Sequence, residues 1–382
     1  MRHSAIPAVI FIGLLFAAPV AAISQTTTGS AAAQNVEESP AAGSAGSSAM
    51  TLDVVVTDKS GALVTDMQPG DFKLLDNKQP QTLASVELAN GMRAKPDFPV
   101  EAIVLVDGIN PAFQTVANER QWLTSFFKEN GGELALPTSL IVLTDAGMKV
   151  QEHPSRNGGV LLEFLNASAT GLRAIRRSEG LEGVIEREKD SLNALDALAA
   201  QEATKPGRKL LIWVGPGWGL FSNASWDGGP RDEKILFNYI VSLSAALHAA
   251  RITIYSIDPT GAGRGQFFYE SYLKGVDEPK HADYGDLLLQ VLAGQSGGQV
   301  LFGNNDLASL IDRCVADAKA YYALTYIPPP AAHTNEYHRI DVQVDKPGLN
   351  VRTRAGYYSM PNVPATQSFP KVSLQTVRES SE

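Results

Sequence analysis

The sequence predicts an α/β protein with a Rossmann-like, doubly wound and mainly parallel sheet, joined to a small antiparallel β-domain formed by the N- and C-terminal strands. Short apolar runs of strand length alternate with helix-period segments through the middle of the chain, which favours parallel strands joined by crossover helices. Runs of alternating apolar and polar residues flank this region on both sides. With 382 residues and 44% hydrophobic content, the chain is long enough to bury a large core.

The first 22 residues have the pattern of a secretory signal peptide. Arg2 and His3 precede an apolar run from Ala5 to Ala18, and Val20-Ala21-Ala22 supplies small residues for cleavage. We therefore expect an exported protein that is periplasmic, cell-surface or secreted, with no membrane span after cleavage. An uncleaved N-terminal anchor is the alternative, although the run is short for the hydrocarbon layer. Residues 23–49 are predicted to form a flexible linker and residues 361–382 a disordered tail.

Residues 50–95 and 328–360 are predicted to supply the strands of the antiparallel domain. The alternating runs are Leu52–Thr57, Asp71–Leu75, Thr82–Val86, Ile340–Val344 and Val351–Arg354. Turn residues follow the first run at Asp58 to Gly61, and Asp76 to Lys78 predict a hairpin between the second and third. Each flank is too small to be stable alone, so we expect the two flanks to pair or stack.

Residues 96–327 are predicted to form the α/β domain. Its buried strand runs are Ala102–Val106, Leu140–Leu143, Leu210–Val214, Ile252–Ile257, Gln299–Phe302 and Tyr321–Ile327. Its helical segments are Phe113–Lys128, Val160–Leu165, Val184–Gln201, Asp232–Ala250, Tyr284–Leu292 and Asp306–Lys319. The turn Asp145-Ala146-Gly147, followed by Met148–Glu152, predicts a tight hairpin that adds an antiparallel edge strand.

Charge and cysteine content narrow the possible partners. The formal net charge of -9 would repel a phosphate backbone, so we expect no nucleic-acid partner. Cys314 is the single cysteine and lies on an amphipathic segment, which predicts a small buried apolar side chain rather than a disulfide.

Several stretches carry a resemblance only when they are taken in order. They are Leu52–Asp58 with Asp71-Phe72, Leu105-Val106-Asp107, the hairpin at 145–152, Gly171-Leu172-Arg173, Tyr255–Pro259, Ser296-Gly297-Gly298 and Arg354–Tyr358. Together they resemble the bacterial VWFA-related domain family of the acidobacterial type, over about Met50 to Ser359. The resemblance implies a von Willebrand factor type A (VWA)-like core with accessory strands, and a role in binding or adhesion outside the cytoplasm rather than in catalysis.

The resemblance also implies a divalent-cation site at the carboxyl ends of the parallel strands. A typical VWA domain binds the cation through an Asp-x-Ser-x-Ser loop, a Thr from a second loop and an Asp from a third, because Mg²⁺ prefers oxygen ligands. Here Asp107 is present, but Ile109 and Pro111 replace both hydroxyls, and Asn110 is out of register. The third loop, Gly215–Gly219, has no carboxylate. The candidate ligands are Asp107, Asn110 and a second-loop hydroxyl, Thr170 or Ser178, and we expect a degenerate site with no bound cofactor.

Without a cation, recognition at this strand end would depend on shape and apolar contact. Asp107 and Asn110, together with Gly215, Gly217, Trp218 and Phe221, are the candidate binding residues. Trp218 and Phe221 would form an exposed aromatic rim, because aromatic side chains are favoured at protein interfaces. The alternative is that Trp218 folds back on the sheet and the glycines permit close packing.

The expected function is an exported, non-enzymatic binding or adhesion module for a protein or cell-envelope partner. The alternative is an extracytoplasmic serine hydrolase, because Gly294-Gln295-Ser296-Gly297-Gly298 matches the pattern Gly-x-Ser-x-Gly, with His333, His338 and Asp306 as formal triad partners. A nucleophile elbow, however, follows a strand and opens a helix, whereas Ser296 follows a predicted helix. A purely structural envelope component is the third interpretation.

Overall fold

The computed structural model describes residues 49–91, 99–168, 180–219, 229–259, 269–302 and 304–359. The described strands are β1 (Met50–Thr57), β2 (Phe72–Asp76), β3 (Gln79–Gln81), β4 (Leu83–Ala89), β5 (Val100–Asp107), β6 (Glu133–Thr144), β7 (Gly147–Val150), β8 (Ser155–Asn157), β9 (Arg208–Val214), β10 (Ile252–Asp258), β11 (Val300–Phe302), β12 (Tyr321–Tyr326), β13 (Tyr337–Val344), β14 (Asn350–Arg352) and β15 (Gly356–Tyr358). The described α-helices are α1 (Phe113–Phe126), α2 (Gly158–Ser168), α3 (Gly180–Glu202), α4 (Pro230–Ala249), α5 (Leu289–Gln295) and α6 (Leu307–Lys319). The predicted signal peptide and C-terminal tail lie outside the described residues.

A mainly parallel sheet forms the centre of the chain, with the strand order β11-β10-β9-β5-β6-β7. The first five of these strands are parallel, and β8 adds an antiparallel pairing to β6. The predicted hairpin is present, because β7 pairs antiparallel with β6 and closes at Thr144 opposite Gly147. The structure is therefore a mixed α/β fold, as the sequence predicts.

Helices cover both faces of this sheet because its central strands are apolar on both sides. On β9, Leu211 and Trp213 belong to the apolar layer that includes residues of α3, α4 and α5. The alternate residues Leu210 and Ile212 belong to the opposite layer, with residues of α1, α2 and α6. Cys314 of α6 lies in this second layer as a buried free thiol, as predicted.

Two four-stranded sheets, β14-β1-β12-β4 and β15-β13-β2-β3, flank the α/β core. The N- and C-terminal flanks pair with each other in both, since β1 pairs with β14 and β2 pairs with β13. An apolar cluster joins the two sheets, with Leu52 and Val54 from one and Leu74 and Ile340 from the other.

Two strand assignments made from the sequence are wrong. The run Tyr321–Ile327 does not continue the parallel sheet, because β12 lies between β1 and β4 and pairs antiparallel with both. The run Thr82–Val86 does not pair with β2, because β3 forms that hairpin and β4 joins β12. The sequence of β12 predicts a central parallel strand because its residues are apolar on both faces, and the strand is indeed buried on both faces. Tyr322 and Leu324 face the antiparallel cluster, whereas Tyr321 packs in the α6 layer.

None of the described helices combines the length and the apolar character needed to cross a bilayer.

Candidate binding edge of the parallel sheet

Asp107 is the last residue of β5 and lies at the carboxyl edge of the parallel sheet, where β5, β9, β10 and β11 end. Its side chain is fully buried. One carboxylate oxygen, Oδ1, accepts hydrogen bonds from the backbone N–H groups of Ile109 (3.1 Å) and Asn110 (3.0 Å). The other, Oδ2, accepts from Asn110 Nδ2 (2.9 Å) and Trp213 Nε1 (3.0 Å). Both oxygens are therefore held by two N–H donors each.

The groups around Asp107 hold these donors in place. Asn110 Nδ2 also donates to Ser191 Oγ of α3 at 2.9 Å, and that hydroxyl donates to the Arg187 carbonyl at 2.8 Å. Trp213 reaches Asp107 from the neighbouring strand β9, which pairs with β5. Gly215 closes the remaining side, because a Cβ added there would lie 2.6 Å from the Cβ of Asp107. Its φ of 143° is also one that side-chain-bearing residues rarely adopt.

Glu119 adds a second buried carboxyl group near this edge, which the sequence analysis missed. It lies on α1 between Val116 and Leu123 on the buried face, and among the described residues neither of its oxygens has a hydrogen-bond partner. Burial raises the pKa of Glu119 well above its usual range, and the charges of Asp107 and Asp258 raise it further. A neutral carboxylic acid is the form that such a site favours. The available signal was an acidic residue at the helical spacing of the buried apolar face.

Burial also changes the pKa of Asp107. Loss of water raises the pKa of Asp107 above its usual value, and the N–H donors of Asn110, Trp213 and Ile109 act against that shift. The carboxylate is thus compensated by protein dipoles in a place that water does not reach.

These residues do not fit a divalent cation. The two Asp107 oxygens already accept four N–H groups, and Asn110 presents its NH₂ group to Asp107 instead of a carbonyl oxygen. Mg²⁺ requires near-octahedral oxygen coordination, which N–H donors cannot supply. Within the described ranges, no three acidic, histidine or cysteine side chains gather as a metal site would require. Thr170 and Ser178 lie outside the described residues, so their predicted role stays a prediction.

At Trp218 the structure has the alternative arrangement, in which the side chain folds back on the sheet, so the expectation of an exposed rim is wrong at this residue. Its side chain is 3% exposed, stacks edge-on against Trp213 at 5.5 Å between ring centroids, and donates Nε1–H to the Leu287 carbonyl at 3.1 Å. Gly217 is buried as well, and a Cβ there would lie 2.9 Å from Leu289. The loop therefore packs inward, because an indole with a carbonyl partner and an apolar layer beneath it is more stable buried. Phe221 lies outside the described residues.

Two phenylalanines are exposed at the carboxyl edge instead. Phe113 begins α1, six residues after Asp107, and is 67% exposed. Phe302 ends β11 and is 44% exposed. In the sequence, Phe113 is only the first residue of a predicted helix and Phe302 only the last residue of a predicted strand. An aromatic residue at the first position of a helix, or the last of a strand, was the signal that an apolar side chain would face solvent.

Ser296 does not have the surroundings of a nucleophile. It caps the C-terminus of α5, accepts a hydrogen bond from the Ile254 N–H at 2.9 Å and donates to the Ala293 carbonyl at 3.1 Å. Gly297 follows with φ of 89°, and the Gly298 N–H returns to the Ala293 carbonyl, as in a glycine helix terminus. His338 instead places Nδ1 2.8 Å from Asp76 Oδ1 between β13 and β2. The described hydrogen bonds of Ser296 join it to main chain and to no histidine.

Comparisons with known proteins gave structural likenesses alone. No family model and no curated protein matches the sequence. The human COPII-coat protein Sec24c is similar over 73% of this chain and 48% of its own, with 10% identity and a TM-score of 0.32. The chain thus spans about half the length of that protein. The TFIIH p34 N-terminal domain is similar over 57% of this chain and 97% of its own, with 10% identity and a TM-score of 0.30. The pilus adhesin RrgA from Streptococcus pneumoniae follows at 48% and 28% coverage, 9% identity and a TM-score of 0.23. Likenesses at this level carry no argument about function.

Proposed function

We propose that this chain is an exported, VWA-like binding module without enzymatic activity, which recognises a protein or cell-envelope partner at the carboxyl edge of its parallel sheet. The observation that carries the proposal is the exposure of Phe113 and Phe302 at that edge. Open α/β sheets bind their ligands at the carboxyl ends of the strands, and aromatic anchors contribute strongly to protein interfaces.

The contacts of Asp107 support a recognition mode that does not use a metal. In a metal-dependent mode, a carboxylate of the partner would complete the coordination shell of a cation held by Asp107. Here both Asp107 oxygens already accept N–H groups, so they are not free to hold that cation. The edge therefore offers apolar surface in place of a metal. Export is part of the proposal because of the signal-peptide pattern in residues 1–22.

The experiment is a pull-down from envelope extract with the wild-type chain and with the double variant Phe113→Ser/Phe302→Ser. The matched control is Leu88→Ser/Ile327→Ser, which removes two exposed apolar side chains from the β4 and β12 region. Each pull-down is run with and without EDTA. We expect a specific partner to be lost from the first variant, kept by the control and unaffected by EDTA. Equal capture by both variants, or capture that EDTA abolishes, would contradict the proposal.

A further inference from the structure

A small cleft lies at the opposite end of the parallel sheet from Asp107, where the amino ends of β9 and β10 meet β1. Its volume is about 30 Å³, and Arg208, Arg251 and Arg354 line it together with Asp53. Arg208 begins β9, Arg251 directly precedes β10, and Arg354 follows β14. The fold therefore brings three guanidinium groups from distant parts of the sequence to one cleft.

Positive charge exceeds negative charge in this cleft. Asp53 is the single carboxylate among the described lining residues. Its Oδ1 lies 2.6 Å from Arg251 Nη2 and its Oδ2 lies 3.8 Å from Arg208 Nε. The nearby carboxylate of Asp317 is held by Arg352, with contacts of 2.6 and 2.7 Å. Three cations therefore share one anion, which leaves an excess of two positive charges.

Arg354 is one of the cations in excess. Its Nη1 is buried, and the described part of the chain gives that nitrogen no hydrogen-bond partner. Arg208 Nε is likewise buried with no hydrogen bond, since Asp53 Oδ2 is too distant. Guanidinium nitrogens without an acceptor are costly in a buried position. Arg208 and Arg354, which both line the cleft, thus each have one buried nitrogen without an acceptor.

Burial lowers the pKa of two of the lining groups, and positive charge contributes to one of these shifts. Burial lowers the pKa of Arg354 to about 10. Burial, followed by the charges of Arg354 and Arg251, lowers the pKa of His248 to about 3, so this lining histidine stays neutral. Thr253, which is 6% exposed, adds a hydroxyl to the lining.

We propose that this cleft binds the two-oxygen face of one small oxyanion, either a carboxylate or one edge of a phosphate. Arginine guanidinium groups bind such faces through paired N–H donors. A volume of about 30 Å³ is room for about two water-sized atoms, which matches two oxygens and excludes a large ligand. Among the lining residues, Arg251 has a side chain that is 28% exposed. This site is independent of the function proposed for the carboxyl edge.

The test is thermal unfolding of the whole chain at pH 7 in sodium chloride, sodium acetate or sodium phosphate at equal ionic strength. If the dissociation constant is about 1 mM, an anion at about 50 mM multiplies the folding equilibrium constant by about 50. We expect acetate, phosphate or both to raise the melting temperature above that in chloride. A rise in acetate alone assigns the site to carboxylates, whereas a rise in both assigns it to oxyanions in general.

Arg354→Met separates binding at this cleft from a general salt effect. We expect it to abolish the anion-dependent rise, and to melt in chloride no lower than wild type, because it removes an uncompensated charge. Arg231→Met, which changes an exposed arginine at the start of α4, should keep the rise. Arg354→Lys keeps the charge but loses the paired donors, so it should weaken the anion-dependent rise in melting temperature. It replaces Arg354→Met as the test variant if Arg354→Met does not fold. The proposal is overturned if wild type responds to neither anion, or if both Arg354 variants respond as wild type does.

Discussion

Replacing Asp107 with Asn tests whether the hydrogen bonds at the carboxyl edge hold the surrounding loops in place. The carboxylate accepts four N–H groups, two on each oxygen. An asparagine side chain has one oxygen and one NH₂ group, so whichever way it is turned, two donors lose their acceptor. The two donors left behind belong to buried groups of Ile109, Asn110 or Trp213.

The magnitude follows from the cost of buried, unsatisfied donors, which is about 1–3 kcal/mol each. Two such donors cost about 2–6 kcal/mol, and removing a carboxylate whose pKa burial has raised offsets part of this. We therefore expect Asp107→Asn to lower the free energy of unfolding by about 2–4 kcal/mol, or roughly 5–10 °C in melting temperature.

The assay is urea unfolding followed by far-ultraviolet circular dichroism, with Asp145→Asn as the matched control. Asp145 is an exposed acidic residue in the β6–β7 turn, so its replacement should change stability by less than about 0.5 kcal/mol. If Asp107→Asn unfolds at the same urea concentration as the control, the four hydrogen bonds do not stabilise this edge and the reasoning fails.

Two further predictions follow from burial. Trp218→Ala should destabilise the protein by about 3–5 kcal/mol in urea unfolding, because the side chain is 3% exposed and packs on Trp213; an unchanged midpoint would place the indole at the surface. Burial raises the pKa of Glu188 from 4.5 to about 8, so the unfolded chain ionises first and stability falls as the pH rises between those values, by about 1.4 kcal/mol per pH unit. Glu188→Gln should make the pH dependence of the urea midpoint shallower between pH 5 and 8. Parallel curves for wild type and variant would show that the pKa of Glu188 is not raised.

The sequence was a good guide to the α/β core because helix-period segments separate most of the strand runs. Strands β5, β6, β9, β10 and β11 all overlap predicted runs, and the hairpin β6–β7 follows from a turn of three residues. The sequence failed at β12, because burial on both faces is shared by a central parallel strand and by a strand between two packed layers. Pairing partners depend on tertiary contacts, which periodicity does not encode.

The candidate site could be predicted only in part. The position of Asp107 after a buried strand placed it at the carboxyl edge, and the missing hydroxyls at Ile109 and Pro111 pointed away from a cation. The saturation of its oxygens could not be predicted, because Trp213 and Ser191 reach the site from β9 and α3, far along the chain. The orientation of the Trp218 side chain could not be predicted either, since a glycine-rich loop permits both an exposed and a buried indole.

The most direct test of the central claim is a titration of the wild-type chain with Mg²⁺ and with Mn²⁺ by isothermal calorimetry, repeated on Asp107→Asn. We predict no saturable binding heat up to millimolar cation, because the Asp107 carboxylate already accepts four N–H groups. Uptake of one cation per wild-type chain that disappears in Asp107→Asn would contradict it.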